Sequence, residues 1–183
     1  MRADYRVFLD ACALANFAVC DLLLRLSERP RLIVPHWSAE VLAEIRRTQV
    51  EKLGWPPELA ESFQTKTREA FPDAEVAGYE SLLPALSNDP KDRHVLAAAI
   101  RSNCPLILTF NLKHFPVEAL KPWDICASHP QDYLLVLYEM ERQQVAACLG
   151  EIAGKRKIEV QDVLIRLGKT LPSFAQRLLD DLG

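Results

Sequence analysis

Residues Asp89 to Phe115 read DPKDRHVLAAAIRSNCPLILTFNLKHF. Two aspartates and basic residues lead into a helical pattern that is Ala-rich on one face. Pro105–Phe110, PLILTF, follows as a short unbroken apolar run, the type that forms a strand buried on both faces. A helix feeding such a strand predicts an α/β domain with a parallel sheet. The polar ends of the stretch pose the functional question. Asp89 and Asp92 can serve as helix cap and dipole partner, and Asn111 as a turn former. Alternatively, these groups converge with others on one site.

The N-terminal half repeats the pattern. YRVFL predicts a central strand ending at Asp10, ALANFAVCDLLLRLSE a helix closed by Pro30, and RLIVP a second strand. SAEVLAEIRRTQVEKLG predicts a helix with Ser38 as N-cap and Gly54 as its stop. PPELAESFQTKTREAF follows as a helix with proline in its first turn. AEVAGY predicts an edge strand, YESLLPAL a turn or short helix, and WDICA a last short strand. After about His129 the alternation stops and every segment has a helical period. The expected architecture is an α/β/α sandwich with a short, mostly parallel central sheet over residues 1–128. An all-helical extension over 129–183 is expected to pack on it.

The bulk properties bound the function. At 183 residues, with 49% hydrophobic and 26% charged residues, the chain is globular and long enough to fold without disulfides or structural zinc. A net charge of -3 gives no global drive toward nucleic acid, so such a site must be a local patch. The five cysteines, Cys12, Cys20, Cys104, Cys126 and Cys148, are scattered without metal-ligand spacing. Their apolar neighbours suggest small buried hydrophobes in a reducing compartment. No apolar run approaches the roughly 20 residues of a membrane span, and MRADYRVFLDACAL lacks a signal-peptide pattern. A cytoplasmic protein is the expectation.

In an open parallel sheet, ligands bind beyond the carboxyl ends of the strands. Asp10 follows the first strand, Thr109 and Asn111 follow the late one, Asp92 opens the helix before it, and Glu44 lies two turns into the second helix. Each has a plain structural reading. Asp10 and Asp92 suit caps, and Glu44 with Glu40 forms a like-charge pair that is ordinarily solvent-exposed.

Together, VFLDACAL, SAEVLAEIRR, DPKDRHVLAAAI and LILTFN, in that order, resemble the PIN-domain nucleases, in particular their VapC-like toxin branch. The resemblance covers about residues 5–128, and DPKDRHVLAAA followed by ILTFNLKHF is its most specific part. It implies Asp10, Glu44 and Asp92 as catalytic, metal-binding acids. Glu44 is preferred over Glu40 because the family's glutamate precedes leucine or isoleucine. Asp92 is preferred over Asp89 by its distance from Ala97–Ala99. Many members carry a further acid just after the late strand, where this chain has Thr109-Phe110-Asn111, and His114 stands where an acid is common. Thr109 and Asn111 are then ligand-orienting groups.

The resemblance implies hydrolysis of RNA phosphodiesters with Mg²⁺ or Mn²⁺, by the toxin of a type II toxin–antitoxin system. It also implies an antitoxin partner and a homodimer. Arg46, Arg47, Arg93, Lys113 and His114 are candidate RNA contacts, against the alternative of a solvated face. The rival reading is a weakened PIN module that binds RNA or protein without cutting. A Rossmann-like nucleotide site is disfavoured, since LDACAL lacks a glycine-rich phosphate loop.

Overall fold

The computed structural model describes residues 5–28 and 31–182. Strands β1 (Arg6–Leu9), β2 (Val34–Ser38), β3 (Glu75–Val76), β4 (Leu106–Leu108) and β5 (Cys126–Ser128) form one sheet in the order β3-β2-β1-β4-β5. All four pairings are parallel, as expected for strands joined by helical crossovers. From the central β1 the chain moves first to β2 on one side and later to β4 on the other, which opens a crevice at the carboxyl ends of β1 and β4.

The segment after β1 forms two helices instead of the single one expected, α1 (Ala11–Ala15) and α2 (Phe17–Ser27). Asn16 makes the break: its backbone is extended and its Oδ1 accepts the Val19 amide at 3.2 Å, capping α2. The second strand also starts later than the apolar run. Leu32 and Ile33 both direct their amides to the Leu26 carbonyl, at 2.9 and 3.3 Å, completing the end of α2 before pairing begins at Val34.

Helix α3 (Ala39–Glu51) starts on Ser38, whose hydroxyl accepts the Val41 amide, and is followed by Gly54 at a left-handed φ of 68°. Helix α4 (Pro57–Ala70) leads to edge strand β3, and a 3-10 turn over Glu80–Ala85 lies between β3 and α5 (Arg93–Arg101). The fully buried Ala97–Ala99 run lets α5 lie on the sheet against β1, β2 and β4. A short helix, α6 (Val117–Leu120), precedes β5.

Helices α7 (Pro130–Met140), α8 (Arg142–Arg156), α9 (Val160–Gly168) and α10 (Pro172–Leu182) follow. Helices α8 and α9 pack on α2. Arg156, from the basic run Lys155–Lys157, ion-pairs with Asp21 and lies 5.1 Å over the Phe17 ring. Most of the buried apolar residues form one continuous cluster from Val7 to Leu178.

Candidate metal centre and its surroundings

The β1–β4 register pairs Leu9 with Leu108, and the ladder ends with the Asp10 amide bonded to the Leu108 carbonyl at 3.1 Å. Asp10 and Thr109 therefore leave their strands side by side. Thr109 is wholly buried and donates its hydroxyl to Asp10 Oδ2 at 2.6 Å. Asp10 is only 3% exposed and sits at the N-cap of α1, yet its side chain caps nothing. The capping explanation for this aspartate is thereby removed.

Asp92 repeats the situation. It stands at the N-cap of α5 without a capping hydrogen bond, while Asp89 accepts the Lys91 amide at 3.0 Å and takes the cap role. Burial first, and the negative charge of Asp10 second, push the Asp92 carboxyl above its ordinary range, against the opposing influence of His114. His114 Nδ1 lies 2.7 Å from Asp92 Oδ2. Asp89, Asp92 and His114 each offer a ligand atom within 4.8 Å of the others, the one such trio among the described residues.

Glu44 is partly exposed on α3 and faces His94, with Oε1 3.2 Å from Nε2. Glu40, one turn earlier, approaches the other ring nitrogen at 3.6 Å and accepts the Tyr79 hydroxyl at 3.4 Å. Burial alone would lower the His94 pKa. The approach of Glu44 and the negative charges of Glu40, Glu44 and Asp10 outweigh it and raise the pKa. The imidazole thus lies among the acids of α3 and β1, with only 7% of its side chain exposed.

Asn111 belongs to the same edge. Its amide donates to Thr109 Oγ1 at 3.0 Å, which fixes the turn after β4. Among the candidate cations, Arg46, Arg47 and Lys113 are exposed. Arg93 is half-buried, with Nε donating to the Asn88 carbonyl at 3.3 Å. His114 is committed to Asp92.

Four residues differ in the structure from their sequence reading. Cys12 was expected to be a small hydrophobe, but its thiol is 3.0 Å from Asp10 Oδ2, and burial, then the Asp10 charge, push its pKa up to about 12. Cys126, at the sheet edge, is exposed rather than buried. Glu40, the alternative to Glu44 in the sequence, approaches the same imidazole, so His94 lies between the two glutamates. The usable signals were proximity in sequence, Cys12 two residues after Asp10 and His94 two after Asp92.

Comparison with known proteins shows the family. Over 135 residues the chain is 39% identical to a curated protein of Mycobacterium tuberculosis (strain ATCC 25618 / H37Rv) named "Putative ribonuclease VapC50". The match spans 72% of this chain and 78% of that protein. The chain belongs to the VapC-like family of PIN-domain proteins. No family model and no solved structure matches it. The parallel five-stranded sheet with flanking helices agrees with the PIN-like fold, and the acids sit on the carboxyl edge of that sheet. Among the described residues, no helix of this VapC-like chain is long and apolar enough to cross a membrane.

Proposed function

We propose that the chain is a divalent-metal-dependent endoribonuclease that hydrolyses RNA phosphodiester bonds, and the toxin of a toxin–antitoxin pair. The observation that carries this reading is that Asp10 and Asp92 occupy N-cap positions and cap nothing. Acids withheld from capping at the carboxyl edge of a sheet, with burial and the charge of Asp10 raising the Asp92 pKa, form a set that a cation would relieve. The donors are carboxylate oxygens, which suit Mg²⁺ or Mn²⁺. Asp10, Asp92 and Glu44 would hold the ion; among the described residues, the side chains whose ligand atoms already lie within 4.8 Å of one another are instead Asp89, Asp92 and His114.

When bound, such an ion activates a water molecule and offsets negative charge at the phosphate. The remaining work falls to the chain's own groups. Thr109 orients the Asp10 carboxylate, Asn111 lines the turn beyond it, and His94 faces Glu44. Arg46, Arg47, Arg93 and Lys113 would meet the phosphates of the RNA, with His114 held by Asp92. In this reading residues 1–128 carry the chemistry and the later helices brace α2. The name of the mycobacterial relative supports the substrate class. An antitoxin and a second copy of the chain are the partners the family membership suggests.

The test is cleavage of a single-stranded RNA with Mg²⁺ or Mn²⁺ by wild type, Asp10→Asn and Asp92→Asn. Metal-dependent cleavage lost in both variants is expected, and equal cleavage by all three would refute the assignment. One feature favours a second reading, a module that binds without cutting. Asn111 brings no carboxylate, while Asp92 and Glu44 are each faced by a histidine. RNA binding retained by all three proteins with cleavage by none would establish that alternative.

A further inference from the structure

Cys12 has no part in the chemistry above, yet its surroundings are specific. Its Sγ lies 3.0 Å from Asp10 Oδ2 and accepts the Phe110 amide at 3.2 Å. A carboxylate only accepts, so the thiol is the donor in this contact; Sγ also lies 3.4 Å from Thr109 Oγ1. Thr109 donates to the same oxygen at 2.6 Å, and its own Oγ1 accepts the Asn111 amide. Both side-chain donors therefore fall on one oxygen of Asp10. Among the described residues, no donor bonds Oδ1.

Cys12 sits in the first turn of α1, while Phe110 and Thr109 follow β4. The sulfur thus joins the two strand ends that form the crevice, and joins them through the carboxylate. An apolar side chain of similar volume would fill the same space. It would leave the Phe110 amide without this acceptor and Oδ2 with one donor in place of two.

We propose that Cys12 is a positioning residue. Together with Thr109 it pins Oδ2 of Asp10 and leaves Oδ1 as the oxygen offered to a divalent cation. This rests on the metal-dependent reading of Asp10. Oxygens with distinct duties make Asp10 a one-point ligand, which leaves other coordination positions open to water and phosphate, as Mg²⁺ and Mn²⁺ sites require.

The experiment compares wild type, Cys12→Val, Cys12→Ala, Cys12→Ser and Asp10→Asn, each shown by thermal melting to be folded. Mn²⁺ affinity is measured by titration calorimetry on the full chain, and the Asp10 side chain is located in crystals of the cysteine variants. Cys12→Val, or Cys12→Ala if the valine variant does not fold, is expected to bind Mn²⁺ roughly ten- to a hundredfold more weakly. Its Asp10 carboxylate is expected to be turned from the native orientation. Cys12→Ser keeps a hydroxyl donor and is expected to recover most of the affinity and the orientation, which filling of space alone would not produce. An unchanged Asp10 carboxylate in the apolar variants overturns the proposal, as does native affinity in them while Asp10→Asn has lost it. If Asp10→Asn binds Mn²⁺ as wild type does, the metal reading of Asp10 fails by itself. The crystallographic comparison then still decides whether Cys12 sets the carboxylate.

Discussion

Thr109 Oγ1 donates to Asp10 Oδ2 at 2.6 Å across the splayed ends of β1 and β4, in a spot closed to solvent. A hydrogen bond to a charged group contributes about 1.5–3 kcal/mol. Thr109→Val keeps the shape and loses the hydroxyl, so it is expected to cost about that amount in urea unfolding. Thr109→Ser is expected to retain most of the stability. Equal midpoints for the valine variant and wild type would contradict the role given to this bond.

Asp92 and Ser38 both stand at N-caps, but only Ser38 bonds the first turn of its helix. Ser38→Ala is expected to lose about 1 kcal/mol, the usual worth of a cap. Asp92→Asn removes a carboxylate crowded by burial and by Asp10, so it is expected to leave stability unchanged or raised while abolishing cleavage. Chemical denaturation of the two variants side by side makes the comparison. A loss in Asp92→Asn as large as that in Ser38→Ala would restore the capping explanation.

The crowding of Asp10 and Asp92 also predicts that the folded chain gains from added cation. Mn²⁺ at about a hundred times its dissociation constant should raise stability by about 2.7 kcal/mol, and chelation should reverse the gain. Melting curves at increasing Mn²⁺ concentration measure it. In Asp10→Asn/Asp92→Asn the increment should vanish.

The basic run at Lys155–Lys157 is divided in role. Arg156 is tied to Asp21 and covers Phe17, whereas its two neighbours are exposed. Arg156→Ala is expected to lower stability by about 1 kcal/mol through the lost ion pair and ring contact. Lys155→Ala and Lys157→Ala should change it by less than about 0.5 kcal/mol, as surface substitutions do. None of the three is expected to change the salt dependence of RNA binding.

The parts of the fold that follow from periodicity were legible in the sequence. PLILTF and the Ala97–Ala99 helix before it place α5 and β4, and an aspartate directly after YRVFL places Asp10 at the end of β1. Competition for backbone groups was not legible. The apolar Leu32 and Ile33 look like strand residues, but the unpaired Leu26 carbonyl at the end of α2 takes their amides first. Asn16 interrupts a pattern that is helical throughout, because its side chain serves the next helix better than its backbone serves the last. At the site, residue type and position along the chain pointed to Asp10, Glu44 and Asp92. The partners facing them depend on side-chain directions at element ends, where no period operates. Hence His94 between Glu40 and Glu44, and Cys12 on Asp10, emerge only in three dimensions.

Asn16 carries one more consequence. Its Nδ2 donates to Thr170 Oγ1 at 2.9 Å, between α9 and α10, while its Oδ1 starts α2 and its backbone ends the helix that begins beside Asp10. The last two helices are thereby latched, through one amide side chain, to the five-residue helix on which the first acid is mounted. Displacing α9 and α10 would break that latch.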